Sequence, residues 1–297
     1  MADDLFSIKN EFYLGNYMGA INEAQSGDLE LSSANDERDR DVIIYRSYIA
    51  LGQFDVVQDE VKEDAQTALQ AVKLLATFKS KSDMKDMVLM TLKEWLTDAT
   101  TGNNPVLQTV AGMIYLELGD LEEAAKVLHS GTTLEMVSLQ VQVYLRMSRV
   151  DVAEKSLSLM SRMEDDATLT QLTTAWVSMA LGGEKVQEAF YIFQELADKY
   201  NETPVLLNGM AACKMHMGQF DDAEKYLLKA LAAAASDPQT LQNLVICSQH
   251  TRKAPEVANR YLNTLTRSTP SCSVVKRRSE AEDMFDKLLS SYKPSVA

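Results

Sequence analysis

Little in this sequence breaks a helix. Pro occurs six times and Gly twelve times in 297 residues, which argues against an all-β fold strung on tight turns and for helices. No run of eighteen apolar residues is present, so no stretch reads as a membrane span. The start, MADDLFSIKNEF, meets acid at once and has no uninterrupted apolar core, so it does not read as a secretory signal. Cysteine is scarce. Cys213, Cys247 and Cys272 are odd in number and widely spaced, with no CxxC and no Cys/His zinc spacing. Reduced thiols in a cytosolic protein are the expectation, and by the same reading Asn201-Glu202-Thr203 is a coincidental sequon.

Basic residues are also in deficit. Lys and Arg number 29 against 43 Asp and Glu, a formal charge of −14. Such a surface repels nucleic acid and anionic lipid, so neither is expected as a direct partner. The run Lys276-Arg277-Arg278 is too short to reverse that and reads as a solvated turn before a helix.

Catalytic groupings are equally thin. His129, His216 and His250 are the only histidines. Cys213 and His216 lie three apart on one expected helix, but a Cys/His dyad needs a pocket and a third orienting group. Gly182-Gly183-Glu184-Lys185 lacks the spacing of a phosphate loop and follows a helix rather than a strand. Adjacent acids such as Glu122-Glu123, Asp165-Asp166 and Asp221-Asp222 point apart on a helix and suit helix N-termini. Trp95 and Trp176 read as core, and most of the 15 methionines as gap-fillers. No catalytic, cofactor or metal residue is expected.

What the sequence does have is a plan used again and again. VAGMIYLELGDLEEAAKVL (110–128) returns as MAACKMHMGQFDDAEKYLL (210–228) with few identities but the same order of small, aromatic or aliphatic, Gly and Ala residues. A small residue opening each second helix marks the period. Ala124, Ala153, Ala189, Ala223 and Ala258 stand 29, 36, 34 and 35 apart, and Ala20 and Val57 stand 37 apart. The 67 residues from Val57 to Ala124 hide one degenerate unit. A spacing near 34 is that of tetratricopeptide (TPR) repeats. Gly15, Gly52, Gly119, Gly182-Gly183 and Gly218 fall at the expected turns. Asp55/Gln58, Asp151/Glu154 and Asp221/Glu224 look like reciprocal helix caps.

The expectation is therefore an all-α, right-handed α-α superhelix, a TPR-like solenoid treated as one domain over 1–297. Its hairpins fall near 2–27, 38–63, 65–98, 105–131, 134–163, 168–200, 204–236 and 238–268, with a capping helix at 275–292. The third is the weakest because it lacks a Gly turn. The loops expected are 27–36, 100–105, 164–167, 201–204 and 268–273, and TTGNNP (100–105) is a candidate hinge because it holds no apolar residue.

First helices of such hairpins line the concave face. The repeat positions that face it select Phe12, Tyr13, Arg46, Ile49, Met113, Leu116, Gln142, Leu145, Met215 and His216 as partner-binding candidates. The row is mostly apolar and suits a helix or extended segment with apolar anchors. A carboxylate clamp needs clustered Lys, Arg and Asn, whereas Lys9, Arg46, Arg146 and Asn208 are scattered over several repeats.

Long uneven strings go beyond any TPR pattern. DLFSIKNEFYLGNYMGAINEA, EDDATLTQLTTAWVSMALGGEKVQEAFYIFQELADKY, TPVLLNGMAACKM and APEVANRYLN resemble the epsilon-subunit family of coatomer, the COPI vesicle coat, essentially end to end. Departures are confined to tip loops such as LSSANDERDRD and to the final SYKPSVA. The resemblance implies a non-enzymatic TPR-type solenoid that binds and stabilises the C-terminal region of the coatomer alpha subunit. Other coat subunits would be reached indirectly, and membrane only through the assembled coat. It further implies a cytoplasmic protein, peripheral on the cytosolic face of Golgi membranes and COPI vesicles, in a coat recruited there by an Arf-type GTPase. Golgi-to-ER retrograde and intra-Golgi transport would be its setting. The alternative is a free-standing TPR scaffold or co-chaperone that takes another protein segment in its groove.

Overall fold

A computed structural model describes residues 4–26, 31, 33–270 and 272–292. Half of the expected 27–36 loop, residue 271 of the 268–273 loop, and all but the first two residues of SYKPSVA lie outside the described residues. Among those described there is no strand, and seventeen α-helices follow one another. They pair as α1/α2 (Phe6–Tyr13, Tyr17–Ala24), α3/α4 (Ala34–Ala50, Phe54–Glu60), α5/α6 (Thr67–Ser80, Lys85–Thr97) and α7/α8 (Pro105–Leu118, Leu121–Val127). Then come α9/α10 (Leu134–Arg146, Val150–Met163), α11/α12 (Thr168–Leu181, Lys185–Lys199), α13/α14 (Pro204–His216, Phe220–Ala233) and α15/α16 (Pro238–His250, Pro255–Ser268). A single helix, α17 (Ser273–Ser291), ends the series. The chain is all-α and TPR-like. It divides into two compact units, 1–192 and 193–297.

The repeat mark has a physical meaning. Ala20, Val57, Ala124, Ala153, Ala189 and Ala223 are all 0 % exposed. Each but Ala189 is the fourth residue of its second helix, which puts it against the first. A small side chain there lets the two helices approach closely. The degenerate third hairpin obeys the same rule through Val88, fourth in α6 and equally buried. The sequence places this hairpin but does not reveal Val88 as its mark, because the turn before it carries no glycine: Lys81 is extended and a 3-10 turn over Ser82–Met84 reverses the chain. Ala258, in the last hairpin, is only half-buried.

Six turns share one hydrogen bond. Asn16, Gln53, Asp120, Arg149, Gln219 and Lys253 each donate N–H to the carbonyl five residues back, at 2.8–3.1 Å. This is the Schellman closure, which needs a left-handed residue just before the donor. Glycine fills that place in four turns, but Ser148 (φ 57°) and Arg252 (φ 53°) fill it in the other two. Gly119 (φ 81°) has nothing within 4 Å of a built Cβ, so only its backbone angle requires glycine. Gly112 is different: a Cβ there would meet Leu128 at 2.8 Å, where α7 crosses the end of α8.

The expected Asp–Gln/Glu caps are not caps. Asp55, Asp151 and Asp221 sit inside the first turns of α4, α10 and α14, where they meet the helix dipole. Asp151 pairs with Arg149, and Glu224 with Lys253 of the next hairpin. The N-caps that do accept a backbone N–H are Asn16, Ser33, Asn104, Asp120, Thr133, Thr203 and Asp237. Over 100–105, Thr101 Oγ1 donates to the Trp95 carbonyl at 2.7 Å and Gln108 to the Gly102 carbonyl at 2.9 Å. One hydrophobic cluster holds Val88 and Leu92 before this segment and Leu107 and Val110 after it. A hinge there would have to open that cluster.

Ser148→Gly should raise stability by about 1 kcal/mol by relieving the left-handed strain, and Gly119→Ala should lower it by about 1 kcal/mol. Gly112→Ala should cost more, about 2 kcal/mol, through overpacking against Leu128. Urea denaturation midpoints rank the three, and an unchanged midpoint for Ser148→Gly would contradict the strain argument.

Candidate partner-binding surface

Within unit 1, the first helices bring most of the selected row together, but the chain itself uses part of it. Arg46, in α3, is 8 % exposed. Its guanidinium lies over the Phe12 ring, 4.8 Å from the centroid, and forks onto the Glu135 carboxylate of α9, with Nη1 3.0 Å from Oε2 and Nη2 on Oε1. Burial works against its charge, but Glu135 outweighs that and holds the Arg46 pKa above the ordinary arginine value. Phe12 in turn packs edge-on against Tyr13 and Tyr17, with centroids 5.6 and 5.8 Å away. Tyr13 joins the cluster of Val137, Val141, Ala153 and Leu169, built by α9 to α11, on which Leu145 also packs. So α1 and α3 reach across unit 1 to α9 and α11. Ile49 is buried in the core cluster beside Val57 and Leu75. Arg46 and Ile49 are therefore core residues, not open groove positions.

Phe12 and Tyr13 stay half-buried, and the rest of the row also keeps some surface. Met113 and Leu116 are half-buried on the cluster that holds Ile114 and Tyr115. Gln142 and Leu145 are half-buried one hairpin further on. The Arg146 guanidinium, 3.0 Å from the Leu116 carbonyl, ties α9 to α7 beside them. In unit 2, Met215 is half-buried on the cluster of Leu227, Leu241 and Leu244, and His216 is exposed at the end of α13.

The groups considered for a carboxylate clamp have other duties. Arg46 is held by Glu135, and Arg146 by the Leu116 carbonyl. Asn208 is buried in a polar knot, donating to Thr240 at 2.7 Å and accepting from Asn243 at 3.0 Å, which joins α13 to α15. Nor do Cys213 and His216 make a dyad. The Cys213 thiol is fully buried, and desolvation pushes its pKa up to about 12, whereas His216 faces solvent. Among the described residues no group of three or more His, Cys, Asp or Glu is placed to hold a metal, and no helix is long and apolar enough to cross a membrane.

Sequence reading did not find Glu135. It sits second in α9, where an acid reads as a dipole partner, and nothing local reveals a mate 89 residues away. His250, which stacks on Phe220 with centroids 4.0 Å apart and planes 2° from parallel, likewise reads in sequence only as a helix end.

Hairpins repeated at the TPR spacing, all but the last closed on a buried Ala or Val and presenting partly apolar first helices, define a TPR-type protein-interaction scaffold. Solved structures agree on the fold. A tetratricopeptide repeat protein from Parabacteroides merdae superposes with a TM-score of 0.61 at 15 % identity, covering 81 % of this chain and 91 % of that one. A chain of the APC/C hetero-tetramer Cut9–Hcn1 superposes at 0.60 and 11 % identity, covering 91 % and 54 %. The family comes from sequence. The coatomer epsilon subunit family model matches residues 1–293. Coatomer subunit epsilon-1 of Arabidopsis thaliana is 46 % identical over 98 % of this chain and 97 % of its own length, and coatomer subunit epsilon of Dictyostelium discoideum is 33 % identical over 96 % and 98 %. The chain belongs to the coatomer epsilon subunit family, whose members are structural, non-enzymatic subunits of the COPI coat.

Removing one partner of the Arg46–Glu135 pair leaves a buried charge uncompensated, so Glu135→Leu should cost about 3 kcal/mol. Arg46→Met with Glu135→Leu should cost clearly less than the two single changes summed. Additive costs in this double-mutant cycle would contradict the pairing.

Proposed function

We propose that this chain binds the C-terminal region of the coatomer alpha subunit and stabilises it. In that role it would serve Golgi-to-ER retrograde and intra-Golgi transport from the cytosolic face of Golgi membranes. The observation that carries the reading is the half-buried row Met113, Leu116, Gln142 and Leu145 on α7 and α9, inside a chain that belongs to a coat-subunit family. These side chains are already packed along one edge by their own core, so a partner segment covering the other edge would gain apolar burial without ordering new structure. Met215 and His216, on α13 of unit 2, are separate candidates in that unit. Buried Arg46 and Ile49 support the surface from within, and half-buried Phe12 and Tyr13 help hold α1 and α3 onto the helices beside it. The charge of −14 suits a protein that meets anionic membrane only through other coat subunits.

The alternative, a co-chaperone gripping peptide C-termini, is disfavoured because Arg46, Arg146 and Asn208 are committed within the chain.

Leu116→Ala and Leu145→Ala should each weaken binding to the C-terminal region of the alpha subunit by about 2 kcal/mol in calorimetry. Both should leave helical content unchanged. Phe12→Ala should lower the melting temperature of the free chain, because its ring underlies Arg46. Full affinity in both leucine variants would sink the proposed surface.

A further inference from the structure

The helix α17 is rooted at one end and bare at the other. Cys272 and Val275 pack on the cluster of Leu241, Leu244 and Tyr261, and Gln242 donates to Cys272 Sγ at 2.8 Å. Beyond that root, Met284, Phe285, Leu288, Leu289 and Tyr292 recur at i, i+1, i+4, i+5 and i+8, which is one face for about 12 Å of helix. All five are between 61 and 71 % exposed, and no residue of α17 is buried. The helix expected at 275–292 is thus present, but its apolar face looks outward rather than covering the end of the stack. A contiguous stripe of Phe, Tyr, Met and Leu has the composition of an interface, not of an ordinary surface.

The flanking charges select the occupant. Arg278 pairs with Glu282 at 2.7 Å. From Ser279 onward the helix carries Glu280, Glu282, Asp283 and Asp286 against Lys287 alone, and the helical period sets Glu282 and Asp286 along one edge of the stripe. A second copy would bring the same acids to the seam and join two chains that each carry −14. An amphipathic helix with Lys or Arg along its edge would cover the stripe and meet those acids with opposite charge.

We propose that α17 is a second docking surface, and that its occupant is a basic-edged amphipathic helix of another coat subunit. This rests on the coat-subunit reading above and is separate from the first-helix row. The test uses the full chain and purified coatomer depleted of its epsilon subunit, with binding followed by interferometry and hydrogen exchange. Phe285→Asp/Leu288→Asp alters only exposed positions, and its circular dichroism melt should match the parent. It should bind at least tenfold more weakly, and Glu282→Lys/Asp286→Lys should also weaken binding, most at low salt. Amides of α17 in the parent chain should become protected on assembly.

Unchanged affinity in the Phe285→Asp/Leu288→Asp variant, with α17 still exchanging freely, would overturn the proposal. So would a dimer of the parent chain alone that this variant abolishes, since a second copy would then own the stripe. Leu116→Ala/Leu145→Ala run beside it separates the two readings: loss there alone leaves only the first-helix surface, and loss in the α17 variant alone leaves only the second. A parent chain that does not bind the depleted coat at all would overturn both.

Discussion

The structure depends on how closely two helices can approach at one point in each hairpin. Where the fourth residue of the second helix is Ala or Val, the first helix settles directly against it and both present a continuous apolar edge to the next hairpin. No hairpin could bury that edge by itself, so stability comes from stacking neighbours rather than from any single unit. The core clusters show this. One runs across four consecutive hairpins, from Val42 and Ile49 through Leu107 and Leu128 to Met136 and Val143, and another, in unit 2, joins Ala211 and Leu227 to Leu244 and Leu265. The last hairpin is where the rule weakens, with Ala258 only half-buried and α17 beyond it exposed.

Much of this was legible in the sequence because it repeats. The spacing of Ala124, Ala153, Ala189 and Ala223 fixes the hairpins, and each later proves to be a contact point. What was not legible has a common cause. A turn can be made without glycine, so Ser148 and Arg252 take left-handed backbone that sequence assigns to Gly, and Val88 marks a unit with no turn signal at all. Local acid spacing suggested caps at Asp55, Asp151 and Asp221, but the capping place is two residues earlier in each case. Contacts between distant hairpins leave no local trace either. Arg46 looked like a groove residue because its repeat position points inward, and the inward space proved to be filled by Glu135 and Phe12.

That filling changes how the candidate surface works. A wide empty groove would leave Phe12, Tyr13 and Arg46 waiting for a partner. Here they bind α1 and α3 to α9 and α11 through a buried ion pair and a ring cluster, so the first-helix face of unit 1 is pre-organised. Pre-organisation lowers the ordering cost of association. It suits a coat subunit whose proposed task is to hold another chain in shape: a pre-organised scaffold with apolar edges on α7 and α9 and a net charge of −14. The buried thiol of Cys213 and the stacked ring of His250 fit the same picture, since both serve packing.

The most direct measurement is hydrogen exchange on this chain with and without the C-terminal region of the coatomer alpha subunit. The account predicts new protection in α7 and α9 around Met113, Leu116 and Leu145, with amides around Arg46 already slow in the free chain. Protection confined to the second helices, with α7 and α9 unchanged, would contradict it.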